Sequence, residues 1–298
     1  MSGLGAAAAL ASLLAGAGSP RIAVPTPTEL AERSVAIVEQ VAAASRREGQ
    51  DVDSAVARLG AVMTDVSRRF GENSVESVQA ATEAGIALIR DWQRFDLAHP
   101  HIARSLALSR AVFGTDHRET AYALQDLAVV RQQLRPELFV QWSGPLAREA
   151  IAVRTRVLGP DHLETAGSER YLATWLFESW RTQRRASADS PVLVEARNLA
   201  NHALDVLEVA YGVTHFEVVG LRYLRAQIAL AMQDYVLAET LADELLYRYE
   251  APCHTDSGEP GAREMLADAL RGQGRIADSE AAADAAAADG CNAPALTP

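Results

Sequence analysis

One phrase returns four times at nearly even spacing: a bulky apolar residue, Gly, a short polar loop, then Glu at the head of an apolar-periodic run. It reads FGENSVE from Phe70 to Glu76, FGTDHRE from Phe113 to Glu119, LGPDHLE from Leu158 to Glu164 and YGVTHFE from Tyr211 to Glu217. The Gly-to-Gly intervals are 43, 45 and 53 residues. A lone pair of helices cannot bury its apolar face, so a period of this length predicts helical hairpins stacked so that each completes its neighbour's core. Such an array works through a long shared surface, which points to a binding scaffold without naming its partner.

The repeats agree column by column when counted from each Gly. Immediately before it stand Phe70, Phe113, Leu158 and Tyr211, and eight before it Met63, Leu106, Ile151 and Leu204. Both columns are bulky. Nine before it stand Val62, Ser105, Ala150 and Ala203, and fourteen after it Gly85, Ala128, Ala173 and Ala226. These small residues are expected to act as spacers where helix axes approach, while truncating Ile151 or Leu204 should cost roughly 2–5 kcal/mol.

Composition agrees. About half the chain is apolar, Ala is abundant, aromatics are few, and no strand-like alternation is sustained. The net charge of −11 opposes broad binding to a phosphate backbone, so nucleic acid is not an expected partner. All 28 basic residues are Arg. Cys253 and Cys291 form no disulfide framework or ligand spacing. The run Leu4 to Ala17 resembles a weak secretory segment without a basic start and is too short for a confident membrane span. A cytoplasmic location is expected, with export as the alternative.

Along the chain, residues 1–27 read as an Ala/Pro-rich leader and linker, 28–288 as the array and 289–298 as a disordered tail. Helices are expected from Thr28 to Ala44 and from Asp51 to Phe70; from Ser74 to about Arg94, and from Pro100, placed in a first turn, to Phe113. Next come Arg118 to Leu134, then Pro136 to Leu158 with an interruption at Gly144-Pro145. Leu163 to Arg185 and Pro191 to Tyr211 form a fourth pair, and Phe216 to Met232 and Tyr235 to Tyr249 a fifth. A final Ala-rich hairpin runs over Arg263 to Arg271 and Ile276 to Ala288, with Gly272 and Gly274 at its turn.

The phrases LGPDHLETAGSERYLA and FGTDHRETAYALQDLA are similar to tetratricopeptide repeats of the kinesin light chain type. The resemblance covers roughly residues 50 to 250. It implies an all-α fold, a right-handed α-solenoid of about five to six tetratricopeptide-like helical hairpins, whose concave face is lined by the first helix of each pair and holds an extended or helical peptide. Motor function is not implied.

Where that family often carries Asn pairs, this chain has Gln125-Asp126, Arg170-Tyr171 and Tyr223-Leu224. A groove here would therefore use Thr82, Gln125, Arg170 and Tyr223, all eleven residues after their Gly, extended one turn on by Val129, Thr174 and Gln227. Arg170 offers a fork for a carboxylate, and Tyr223 a ring and a hydroxyl. Of Trp175, Phe177 and Trp180, at most one is expected to reach the groove. Arg170→Glu and Tyr223→Ala are expected to weaken partner capture without moving the thermal transition.

Asp116-His117, Asp161-His162 and His215 recur once per repeat, too far apart to share a metal, and are read as helix caps. His99 and His202 have no partner suggested by spacing. No phosphate-cradling loop or nucleophile motif appears, so no cofactor and no catalysis are expected. The leading reading is a non-catalytic adaptor for a peptide segment of another protein. The alternative is a regulatory sensor whose array binds a small ligand or signalling peptide and controls a separate effector. Neither nucleic acid nor membrane is expected as partner, and the oligomeric state is left open.

Overall fold

Tight turns with a positive-φ residue at Gln93, Gln233 and Gly274, and loops that end on a side-chain cap, separate helices that pack in pairs. A computed structural model describes residues 27–46, 51–182, 187–249 and 259–288. The leader, the tail, Cys253, His254 and Cys291 lie outside the described residues. Among the described residues there are twelve α-helices and no strand. They pair as α1 (Pro27–Ser45) with α2 (Val52–Phe70), α3 (Val75–Trp92) with α4 (Phe95–Phe113), and α5 (Arg118–Leu134) with α6 (Gly144–Leu158). The remaining pairs are α7 (Leu163–Arg181) with α8 (Pro191–Tyr211), α9 (Phe216–Ala231) with α10 (Tyr235–Tyr249), and α11 (Glu259–Gly272) with α12 (Ile276–Ala288). The chain divides into two compact units at Leu158/Gly159, with three hairpins in each. Each unit is a helix-only solenoid segment of tetratricopeptide-like hairpins.

In unit 1, α1 packs against both α2 and α3. Ile37, Val41, Leu59, Met63, Val66 and Leu88 form the core there, and Ile102, Leu106, Leu124, Leu127 and Val153 continue it through α4, α5 and α6. The indole N–H of Trp92 donates to the Ser45 carbonyl at 2.8 Å, tying the end of α1 to the end of α3. In unit 2, α7 touches α9 and α9 touches α11. Ala226, Leu241, Leu245 and Met265 form a buried cluster of α9, α10 and α11.

The recurring Gly is a conformational requirement. Gly71, Gly114 and Gly212 close their helices at φ +95°, +87° and +81° with ψ near 180°, a region essentially restricted to Gly. A few residues on, the next helix starts on a side-chain cap. Ser74 accepts from the Ser77 N–H, and the Nδ1 atoms of His117 and His162 accept from the Glu119 and Glu164 N–H groups at 3.2 and 3.1 Å. The hydroxyls of Ser77, Thr120 and Thr165 donate back to the Gly71, Gly114 and Gly159 carbonyls at 2.8, 2.7 and 2.9 Å. The expected capping role of the polar loop thus falls to His rather than to Asp.

Three expectations change. Helix α4 begins at Phe95 rather than Pro100, because Gln93 takes a left-handed conformation (φ 55°) and Arg94 N–H returns to the Leu88 carbonyl, closing a tight turn. Pro100 therefore lies in the second turn and cannot donate to the Asp96 carbonyl. The interruption at Gly144-Pro145 is the start of α6, preceded by a 3₁₀ turn over Pro136–Leu138. A Cβ on Gly144 would stand 2.9 Å from the Phe139 carbonyl oxygen, so the close return of the chain needs Gly. Finally, the column before the Gly is not deep core. Phe113 stacks on the cap residue His117 with centroids 4.8 Å apart, Tyr211 lies tilted against the cap residue His215 at 4.5 Å, and Tyr211 is 44% exposed.

The spacer columns behave as expected. Ala128, Ala150, Ala173, Ala203 and Ala226 are fully buried, and a Cβ on Gly85 would come within 2.6 Å of two Ile102 side-chain carbons. Leu204 is buried, whereas Ile151 is half-buried, so its truncation should cost less than the range expected for core.

Candidate functional site

The first helices α3, α5 and α7 each leave one face partly open. On α5 the less buried residues between Arg118 and Val130 are Arg118, Glu119, Tyr122, Asp126 and Val129, spaced mostly by three or four residues along one face. Counted from the Gly, this face runs through the eighth, twelfth and fifteenth residues. It therefore carries Gln79, Glu83 and Ile86 on α3, and Gly167, Tyr171 and Thr174 on α7.

The residues eleven after the Gly lie beside that face. Thr82 donates to or accepts from Ser105 on α4 and bonds the Val78 carbonyl. Gln125 is 7% exposed, and neither atom of its amide has a hydrogen-bond partner. Arg170 is half-buried, paired with Glu217 on α9 at 2.9 Å and placed over the Tyr171 ring at 4.4 Å. The Tyr223 ring lies where a Cβ on Gly261 of α11 would be 3.3 Å away. Thr82, Arg170 and Tyr223 therefore sit at contacts between helices, and Gln125 is buried. Replacing Arg170 with Glu would oppose Glu217, and truncating Tyr223 would open a gap against α11. Both changes should lower stability, in contrast to the unchanged transition expected from sequence.

One turn on, the Thr174 hydroxyl bonds the Arg170 carbonyl at 2.9 Å, and Gln227 is exposed on α9. Val129 is half-buried. Of the three aromatics, Trp175 and Phe177 are buried, and Trp180 donates its N–H to the Ser187 carbonyl at 2.9 Å.

The twelfth position carries the unusual electrostatics. Burial raises the Glu83 carboxyl, with Arg90 partly opposing. Asp126 is pushed up to about 6, first by burial, with Arg154 opposing and Glu83 and Glu119 adding to the rise. Arg154 itself is buried on α6 with its guanidinium 4.8 Å over the Tyr122 ring. Unit 1 therefore presents desolvated acids on this face, whereas unit 2 presents Tyr171, 39% exposed.

A second cluster was not visible from sequence. His202 on α8 reaches the Glu169 carboxylate of α7 at 2.6 Å through Nδ1 and Asp161, in the loop before α7, at 3.1 Å through Nε2. Its ring is raised above 6.5, chiefly by the bond to Glu169, while burial raises Glu169 despite that bond. Both ring nitrogens are thus taken by carboxylates, which leaves no free base for a substrate proton. Nearby, Arg222 of α9, 5% exposed, pairs with Glu208 of α8 at 2.8 Å. The signal for both lay in one column: ten residues after the Gly stand Ala81 and Leu124 in unit 1, but Glu169 and Arg222 in unit 2. Among the described residues no group of three His, Cys, Asp or Glu side chains is placed to hold a metal ion.

No protein-family model matches the chain, and no curated protein matches it. Solved structures do. A point-substituted form of Podosopora anserina kinesin light chain nearly identical TPR-like repeats superposes with a TM-score of 0.54 at 15% identity, over 72% of this chain and 93% of the other. A second structure of those repeats gives 0.52 at 15% identity, over 74% and 95%. BtubC (BKLC) from P. vanneervenii gives 0.58 at 14% identity, over 85% and 90%. The chain thus has a tetratricopeptide-like all-α repeat fold, similar at low identity to kinesin light chain repeat proteins. Among the described residues no helix is long and apolar enough to cross a membrane.

Proposed function

We propose that this protein is a non-catalytic adaptor that binds a peptide segment of another protein along the first-helix face of its hairpins. The observation that supports it is the face itself. On α3, α5 and α7 the eighth, twelfth and fifteenth residues after the Gly stay partly open while the other sides pack, giving each unit a lane of acids, tyrosines and small residues. Thr174 and Gln227 contact the segment directly in this reading. Thr82 and Gln125 border the lane of unit 1, and Arg170 and Tyr223 that of unit 2, so they shape each lane more than they grip its contents.

The test is selection of displayed peptides on the full chain, followed by affinity measurement against variants that block the lane. Thr174→Arg and Gln227→Arg place long side chains on open positions and should weaken selected peptides at least about tenfold, or about 1.4 kcal/mol, without lowering the melting temperature. Peptides that bind both variants as well as the parent chain would place the interaction on another surface.

A further inference from the structure

Three loop-to-helix ion pairs in this molecule join an acid near a repeat Gly to a cation on a second helix. Two lie in unit 1: Glu72 with Arg104 of α4 at 3.7 Å, and Asp116 with Arg156 of α6. Both use Arg, which carries its charge at every physiological pH. The third, in unit 2, joins Asp161 to His202, the one side chain of the three whose charge changes near neutrality.

The surroundings of His202 set what it must carry. A neutral imidazole has one N–H and one bare nitrogen, so it can donate to only one of two carboxylates. Here the Glu169 oxygen lies 2.6 Å from Nδ1 and the Asp161 oxygen 3.1 Å from Nε2. Both contacts are attractive only when the cluster holds one more proton than neutral His with two carboxylates. That proton sits either on the ring as imidazolium or on Glu169, which then donates to Nδ1 while Nε2–H donates to Asp161.

We propose that His202, Glu169 and Asp161 form a proton-operated clamp, which fixes the loop before α7 to the α7–α8 hairpin while it holds the shared proton and releases it when that proton leaves. On release one N–H or O–H bond breaks, the proton passes to a solvent base, the electron pair stays on the cluster, and one carboxylate is left facing a bare ring nitrogen. Asp161 is the more exposed of the two acids, with 83% of its side chain accessible against 11% for Glu169, so the loop contact is the one that opens. The loop also carries His162, the cap of α7, and α7 carries Arg170 and Thr174. The clamp therefore links ambient pH to the anchoring of a helix on the candidate binding face.

The charged groups around the ring are few. Glu169 faces it from α7 and Asp161 from the loop, and these two are the charges that act on it. On α8, Asp205 stands one turn along and is exposed. On α9, Arg222 is held by Glu208. No nearby cation opposes protonation of the ring among the described residues. Since the bound state keeps a proton that the unfolded chain loses near 6.5, the stabilisation is complete at acid pH. It is lost as pH rises through the midpoint of the folded cluster.

The experiment follows the His202 ring of the full chain by long-range nitrogen–proton correlation from about pH 5.5 to 9, alongside thermal unfolding of the parent chain and His202→Arg. The ring midpoint is expected above 6.5, each unit of displacement adding about tenfold to the unfolding constant's pH dependence. His202→Arg, which copies the clamp of α4, should keep the loop anchored and lose that dependence. His99 and His101 in unit 1 are lowered, mainly by burial, and tilt the pH profile the opposite way, so the difference between the two proteins isolates the clamp. A ring midpoint at or below 6.5 overturns the proposal even if the Arg variant fails to fold. So does an unchanged pH dependence in a folded Arg variant.

Discussion

Units 1 and 2 use the same hairpin, the same Gly-closed loop and the same Ala spacers, yet they fill the tenth position after the Gly in opposite ways. In unit 1 it holds Ala81 and Leu124, both fully buried. In unit 2 it holds Glu169 and Arg222, 8% and 5% exposed, each bonded to a residue of α8. A hydrophobic residue here stabilises through area and packing, whereas a buried ion pair roughly balances its desolvation against Coulomb attraction. The second solution adds little net stability, but it makes the contact dependent on partner and pH. The twelfth position reverses the chemistry: Glu83 and Asp126 in unit 1, Tyr171 and Leu224 in unit 2. One scaffold thus carries its ionisable groups on the face in unit 1 and inside the hairpin contacts in unit 2.

The largest effect that would break this comparison is expected at the tenth position. Leu124→Ala should cost roughly 2–5 kcal/mol through lost burial and a cavity. Arg222→Ala should cost about 3 kcal/mol, chiefly through the gap left at a site 5% exposed. The replacement that separates the mechanisms is Arg222→Leu, which gives unit 2 the chemistry of unit 1. Glu208 keeps a third of its side chain exposed and can hydrate, so the Leu variant should lose less than half of what the Ala variant loses. Urea unfolding of the three chains decides it. Equal losses for Leu and Ala would mean that the ion pair itself, not the filled volume, holds α9 to α8.

Much of the hairpin architecture is legible in the sequence because it depends on local chemistry. The repeated Gly, the polar loop and the following Glu fix helix ends within a few residues, and the Ala columns mark the close approaches. The candidate face was harder to place. A helix advances about 100° per residue, so the repeat reveals which residues are equivalent but not which column points outward. Shifting from the twelfth to the eleventh position exchanges Asp126 and Tyr171 for the packed Gln125 and Arg170. The His202 cluster is half legible: the tenth column marks Glu169 as unusual, but its partner His202 lies 33 residues on, and 41 from Asp161, with no local pattern to pair them. Pro100 shows the reverse error, a strong local signal overridden by the left-handed turn at Gln93 and the packing of α4.

A smaller effect sharpens the contrast at the twelfth position. Because Asp126 is raised to about 6 from an ordinary 3.8, the folded state holds its proton more tightly than the unfolded chain does. Its contribution is therefore most favourable below about pH 4 and is lost as pH rises through about 6. Asp126→Asn keeps the shape without the charge. At about pH 7.5 it should stabilise by on the order of 1 kcal/mol, and at about pH 4 by almost nothing, with Arg154 limiting the gain. Thermal unfolding at the two pH values measures this. A destabilised Asn variant at the higher pH would show that Arg154 needs the carboxylate more than burial opposes it.

The smallest effect concerns the loop lock, where the contrast runs inside unit 2. Thr165 donates to the Gly159 carbonyl, but the equivalent residue after Gly212 is Val218, fully buried and without a hydroxyl. Thr120→Val and Thr165→Val remove one hydrogen bond each while keeping the side chain's shape, and should cost about 1 kcal/mol. Faster amide exchange at the adjacent loop is the accompanying sign. The reverse change, Val218→Thr, offers a hydroxyl to the Gly212 carbonyl in a loop whose neighbours, Tyr211, Val213 and Phe216, are already apolar and exposed. If that carbonyl lies where the other two do, Val218→Thr should recover most of that hydrogen-bond energy and slow exchange there. A loss instead would mean that the Gly212 loop closes by packing Tyr211 against His215, and that the hydroxyl is a buried polar group without a partner.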